Sequence, residues 1–184
     1  MNHDDYLNLL KPADLPSGGV WADLGAGAGA FTLALRDILG PDVEMYAVDA
    51  DAARLKDLEQ EYGQRFGDTS KLHLMPADLS TRLATPPLDG ILMANSLHFF
   101  SEKEPLLRAV RTLLKPHGML LLVEYNVDTG NLWVPYPLSF KSFQALAPRA
   151  GFTEPRLLAR HASSFLHEFY SATANKMASP PGGS

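Results

Sequence analysis

Three aspartates carry the first chemical signal in this sequence. Asp23, Asp49 and Asp78 each stand at the end of a short apolar run, within "VWADL", "VEMYAVD" and "KLHLMPAD". The first is followed by Gly25, Gly27 and Gly29, separated by alanines. Glycines so spaced let bare backbone approach a ligand closely. The ligand could be a nicotinamide dinucleotide, a nucleotide phosphate or another nucleoside cofactor. A Walker loop is excluded, because no Gly-Lys-Ser/Thr closes the stretch. Gly25, Gly27 and Ala30 can satisfy the dinucleotide fingerprint, although a tightly packed turn would use the same residues.

Asp23 argues against a dinucleotide. It lies two residues before the first glycine, where such a loop usually carries an apolar residue, and a carboxylate there suits a cationic cofactor. Asp49 can accept hydrogen bonds from both hydroxyls of a ribose. Asp78 can meet an adenine amino group. Each acid alone would serve as a helix cap or a solvated side chain. Three on successive strand ends are harder to explain so, because that edge is where open α/β sheets bind ligands.

A second group of residues could handle a proton. His98 follows "LDGILMAN", and Glu124 and Tyr125 close "MLLLVEY". His98 is the first candidate base, against the competing reading of a structural imidazole. Glu124 is better suited to orienting a substrate. Phe99, Phe100, Trp133, Tyr136, Phe140 and Phe143 follow the same strands. Some belong to ordinary core, and the rest could wall an apolar or ring-bearing ligand. His3, His73, His117 and His161 show no metal-cluster spacing, so no metal is expected. His167 is expected on an edge strand.

These residues need elements to hold them. The pattern alternates strand and helix. "VWADL" is a strand, and Phe31, Ala34, Leu35, Ile38 and Leu39 form a helical stripe stopped by Gly40-Pro41. "VEMYAVD" follows, then a helix capped by Asp51 with Leu55, Leu58, Tyr62 and Phe66 on its apolar face. "KLHLMPA" and "LDGILMAN" are the third and fourth strands, the latter apolar on both faces as a central parallel strand should be. Ser101 and Glu104 have capping-box spacing and open a helix ended by residues 115–118. "MLLLVEY" is the fifth strand, and Ser139 caps a helix closed by Gly151. "EPRLLARHA" and "SFLHEFYSATA" complete the set, too close together for a parallel crossover, so they must pair as an antiparallel hairpin. The expected fold is α/β: a Rossmann-like, doubly wound, mostly parallel seven-stranded sheet with an antiparallel C-terminal edge hairpin. No polar linker divides it, so residues 1–178 read as one domain and 179–184, "SPPGGS", as a flexible tail.

Composition narrows the function. The 16 basic and 21 acidic residues give a net charge of −5, which argues against a broad nucleic-acid footprint. There is no cysteine, so disulfides, thiolate metal sites and thiol catalysis are excluded for this chain. No apolar run reaches ~18 residues, and "MNHDDYLNLLKP" is not a secretion signal, so no membrane span and a cytoplasmic location are expected.

The ordered motifs resemble those of class I S-adenosylmethionine-dependent methyltransferases. "ADLGAGAGAFTLAL" matches that family's acidic-x-Gly-x-Gly-x-Gly loop, "AVDAD" its ribose-binding strand end, "MPADLS" its adenine-contacting turn and "LDGILMANSLHFF" its fourth-strand motif. The resemblance implies S-adenosylmethionine as cofactor and S-adenosylhomocysteine as product. It implies that the backbone from Gly25 through Ala26 and Gly27 to Gly29, behind Asp23, receives the methionine part. Asp49 and Ala50 would hold the ribose, Ala77, Asp78 and Leu79 would flank the adenine, and Asn95 and Ser96 would lie near the sulfonium. An acceptor would then sit beside His98 and Glu124, against Phe99, Tyr125, Trp133 and Tyr136, with the long 126–138 loop as a lid. A small-molecule acceptor is the leading expectation. "NSLH" lacks the Asn/Asp-Pro-Pro-Tyr pattern of base or glutamine methylation, which weakens a nucleic-acid or protein methyltransferase. A non-catalytic cofactor-binding regulator is the third reading. Arsenic methylation, known in this broad fold, is expected to use thiolates that this chain lacks.

Overall fold

The computed structural model describes residues 1–178; the expected tail, 179–184, lies outside the described residues. Seven strands, β1 (Val20–Leu24), β2 (Glu44–Asp49), β3 (Leu72–Pro76), β4 (Leu88–Ala94), β5 (Leu114–Tyr125), β6 (Arg156–Ser163) and β7 (His167–Asn175), form one sheet. Its order is β3-β2-β1-β4-β5-β7-β6. The sheet is parallel from β3 to β5, and β7 runs antiparallel to both its neighbours. The fold is the doubly wound, Rossmann-like one expected.

One detail of the hairpin differs. β7, which carries His167, lies inside the sheet, and β6 is the edge. Composition explains the placement. The run from Phe169 to Ala174 is buried throughout, whereas β6 carries Arg156, Arg160 and His161 and has no fully buried residue. Basic side chains on the outer strand also discourage further edge pairing.

Among the described residues, five α-helices cover the two faces: α1 (His3–Leu10), α2 (Ala30–Leu39), α3 (Ala52–Phe66), α4 (Lys103–Leu113) and α5 (Phe140–Arg149). Leu9 and Leu10 of α1 pack with Phe31 and Leu35 of α2 against Trp21, Met45 and Leu92 of the sheet. Leu55 and Leu58 of α3 pack on Ala47. On the other face, Leu107 and Val110 of α4 and Phe143 of α5 pack on Ile91, Met93 and Leu122. Asn2 and Asp5 form a reciprocal capping box at α1. The box expected at Ser101 and Glu104 does not form. Glu102 is the cap without a side-chain bond, and Glu104 instead pairs with Arg108 and Arg149. Two charged partners there outweigh one backbone N–H. No helix among the described residues is long and apolar enough to cross a membrane.

Gly90 marks the tightest place in the sheet. A Cβ there would sit 2.3 Å from the ring of Trp21, which is fully buried. Gly90→Ala is therefore expected to cost roughly 1–3 kcal/mol by overpacking. A lower urea midpoint with an unchanged slope would register it; an unchanged midpoint would mean that the indole moves freely.

Candidate functional site

The glycine loop leaves β1 and is at once tied to β2: the N–H groups of Gly25 and Ala26 both donate to the Val48 carbonyl, at 2.8 and 3.0 Å. Gly25 has φ +86°, and a Cβ on it would lie 2.4 Å from the Cβ of Ser96. Gly29 has φ +90° and starts α2 as its N-cap. Both positions thus require glycine for conformation as well as space. Gly27 N–H donates to Asp49 Oδ2 at 2.8 Å, and Asp51 N–H donates to Asp49 Oδ1 at 2.9 Å. Asp49 is oriented by these bonds, yet each oxygen keeps a further acceptor site.

Opposite the loop stand the ends of β3 and β4. Asp78 accepts from the N–H and hydroxyl of Ser80, both on Oδ1, at 2.8 and 2.7 Å. Those bonds hold its carboxyl below the usual range. Ser96 donates its hydroxyl to the Leu24 carbonyl at 2.7 Å, joining the end of β4 to that of β1. Asn95 adopts φ +54°, and its buried Oδ1 has no partner. Asn takes this left-handed backbone more readily than most residues, and its buried acceptor without a protein partner costs free energy.

Between these ends lies a cavity of about 330 Å³, lined by Gly25, Asp49, Ala50, Arg54, Ala77, Asp78, Leu79, Asn95, Ser96, Phe99 and Phe100. It gathers most of the residues expected to touch a cofactor. Ala26, Gly27 and Gly29 are buried in the loop without lining this cavity. Arg54 was not expected. A signal for it existed: a basic residue in a helix's first turn opposes the macrodipole, so α3 carries Arg54 against local preference.

Asp23, expected behind the loop as a carboxylate suited to a cationic cofactor, does not line this cavity. It is only 1% exposed, its Oδ2 accepts the Thr32 hydroxyl at 2.6 Å, and its Oδ1 has no partner. Burial pushes its pKa up to about 7, the Thr32 bond pulls it down and the Asp49 charge adds to the rise. The unfolded carboxyl ionises near 3.8. Between about pH 4 and pH 7 the folded state therefore holds the extra proton, so this group's contribution to stability falls as pH rises and is level above about 7. Asp23→Asn should remove that slope. Urea unfolding at pH 5 and pH 7.5 measures it; an identical pH difference in both proteins would mean that Asp23 ionises normally.

His98 is 3% exposed and Glu124 is wholly buried. Glu124 Oε1 accepts the N–H groups of Leu97 and His98 at 2.9 and 3.2 Å, and its Oε2 lies 2.7 Å from His98 Nδ1. Glu124 is thus committed to the loop after β4, which corrects the expectation that it faces a substrate. A carboxylate on Nδ1 keeps the ring proton there and leaves the lone pair of the neutral ring on Nε2. The ring packs beside Phe99 and Tyr125.

The expected aromatic wall divides. Phe143 is core, and Phe140 packs on the Tyr170 ring. Tyr136 lies over a separate hollow beside α4, and its N–H donates to the His98 carbonyl at 3.0 Å. Trp133 is 71% exposed and lines neither the 330 Å³ cavity nor the hollow at Tyr125. The 126–138 loop is pinned by its own bonds: Asn131 accepts from Trp133 and Val134, and Asp128 takes both the N–H and hydroxyl of Ser139. Tyr125 lines another cavity, of about 470 Å³, which meets the first at Asn95.

A parallel sheet with an antiparallel seventh strand, and a glycine loop facing acids on the next two strand ends, define the class I S-adenosylmethionine-dependent methyltransferase fold. The chain belongs to the methyltransferase domain family, whose model matches residues 22–120. It is 29% identical to an arsenite methyltransferase of Aquipseudomonas alcaligenes, over 82% of this chain and 48% of that protein. It is 28% identical to the acetylserotonin O-methyltransferase of Mus musculus, over 81% of this chain and 43% of that one. The chain thus spans less than half the length of these relatives. Among solved structures, YcgJ of Bacillus subtilis superposes with a TM-score of 0.77 over 96% of this chain and 100% of that one, at 18% identity. At that identity the likeness is one of fold.

Proposed function

We propose that this chain binds S-adenosylmethionine in the 330 Å³ cavity and transfers its methyl group to a small-molecule acceptor. The convergence of Gly25, Asp49, Asp78 and Asn95 on one cavity at the strand ends carries this reading. The residues present fit the cofactor. Asp49 has acceptor capacity for a ribose, Asp78 Oδ2 for an adenine amino group, and Leu79 and Phe99 offer apolar walls to the base. Gly25 leaves the space that a side chain would fill, and the unpartnered Asn95 Oδ1 supports placing the sulfonium end beside it. When bound, the cofactor supplies a methyl carbon activated on sulfur, so an acceptor lone pair forms the new bond while the carbon–sulfur pair returns to sulfur.

The protein's own task is to align the acceptor, keep water away and receive a proton where one must leave. His98, whose ring is 3% exposed and lines none of the three cavities described, is the group proposed for that proton, and Glu124 is its positioning residue. The arsenite chemistry named for one relative does not transfer, because no thiolate exists here. The acidic balance supports an acceptor other than nucleic acid, and a cytoplasmic location belongs to the same proposal.

Calorimetry tests the cofactor: S-adenosylmethionine and S-adenosylhomocysteine should bind and NAD should not. Tight NAD binding without response to the adenosyl ligands would overturn the assignment. Asp49→Ala should weaken adenosyl binding by roughly 1–3 kcal/mol through loss of charge-assisted bonds. An unchanged dissociation constant in a folded variant would remove Asp49 from the site. Transfer of labelled methyl to a metabolite panel separates an enzyme from a binding-only regulator.

A further inference from the structure

The second cavity has a shape that specifies an acceptor. It meets the cofactor cavity at Asn95. A larger hollow, beside α4, meets the cofactor cavity instead at Leu79, Phe99 and Phe100, next to Asp78. If the adenine lies at Asp78, the hollow beside α4 adjoins the base, and the cavity at Asn95 adjoins the methyl end.

That cavity runs across the sheet. Tyr125 of β5 pairs with Phe169 of β7, and Phe169 pairs with His161 of β6. Directly paired residues face the same side, so these three side chains form one row. Asn95 follows Ala94, which pairs with Val123, and so stands at the same end of the next strand inward. From Asn95 to His161 is three strand spacings, roughly 14 Å at ~4.8 Å each.

The middle of the row is aromatic. Tyr125 and Phe169 lie 4.2 Å apart between ring centroids, and across the cavity Tyr6 and Phe31 lie 4.7 Å apart. The far end is polar. Asp5 of α1 gives Oδ2 to the N–H of Asn2 at 2.7 Å, while its Oδ1 lies 3.9 Å from His161 Nδ1. That separation is too long for a direct hydrogen bond, and it leaves an acceptor oxygen facing the cavity's edge.

The geometry points to a flat acceptor about one ring and a short arm long. Its nucleophilic hydroxyl lies at Asn95, its ring lies between Tyr125 and Tyr6, and a hydrogen-bond-donating group on its arm is held by Asp5 and His161. Asp5, Tyr6, His161 and Phe169 are then specificity residues. This assignment rests on the cofactor reading above.

Tyramine and 4-ethylphenol differ only in the terminal amine and make the test. Each is titrated calorimetrically into the wild-type protein loaded with S-adenosylhomocysteine. Tyramine should bind at least tenfold more tightly than 4-ethylphenol. Asp5→Asn and His161→Gln should each shrink that ratio to below threefold. Ser163→Trp, two residues on from His161 on the same face of β6 and lining the same cavity, should abolish binding of both phenols. S-adenosylhomocysteine affinity should stay within twofold of wild type in all three variants, which also certifies their folding. Ser101→Trp, in the hollow beside α4, should leave phenol binding intact. The proposal is overturned if neither phenol binds the loaded wild-type protein, if both bind equally, or if Ser101→Trp rather than Ser163→Trp blocks them. Failure of the wild type to bind S-adenosylhomocysteine would instead overturn the cofactor reading.

Discussion

Gly25→Ala is expected to lower S-adenosylmethionine affinity by at least about 100-fold while leaving a folded protein. Two effects combine. The backbone at φ +86° is unfavourable for alanine, and the new Cβ would press on the Ser96 side chain at 2.4 Å. Relief requires moving the loop or the end of β4, and Ser96 is tied to the Leu24 carbonyl. Either movement disturbs Asn95 and the Gly27–Asp49 bond together. Far-ultraviolet circular dichroism would report the fold and calorimetry the affinity. A folded Gly25→Ala protein with wild-type affinity would show that the loop does not receive the cofactor.

Glu124→Ala is expected to be the most destabilising single change near the site, by roughly 3–5 kcal/mol. Its wholly buried carboxylate satisfies two backbone N–H groups and the His98 ring. Removing it strands all three donors away from water. Glu124→Gln keeps one acceptor for the backbone and should cost roughly 1–3 kcal/mol, while its amide can no longer fix the ring proton on Nδ1. Denaturant unfolding separates the two variants. Once an acceptor is found, His98→Ala should lose turnover for proton-bearing acceptors and retain the cofactor. If His98 is the base, Glu124→Gln should shift the pH profile of turnover. A purely structural pair would change stability and leave that profile in place.

The local patterns were informative wherever chemistry and covalent neighbours act together. The strand–glycine–helix run at 20–39, the Asp51 cap and the Ser139 cap all stand as read, because capping and glycine conformation depend on a few adjacent residues. Most expected cofactor residues meet in one cavity for a related reason: parallel strands present their carboxyl ends together. The Ser101–Glu104 box failed because Arg149, 45 residues from Glu104, competes for the carboxylate. Sequence spacing cannot register a competitor brought in by another helix.

By itself, the sequence determined the class of fold, the loop that needs glycine and the acids that end three strands. Those follow from backbone sterics and strand periodicity, which are local. Tertiary structure alone decided three further matters. It buried Asp23 beside Thr32 and so raised its pKa, because desolvation depends on everything packed around a group. It turned Glu124 inward, onto the backbone of the loop after β4. It also set Tyr125, Phe169 and His161 in one row while leaving Trp133 exposed. Which residues share a face across three strands depends on the sheet order β5-β7-β6, and that order is fixed by burial of β7 between its neighbours rather than by any short stretch of chain.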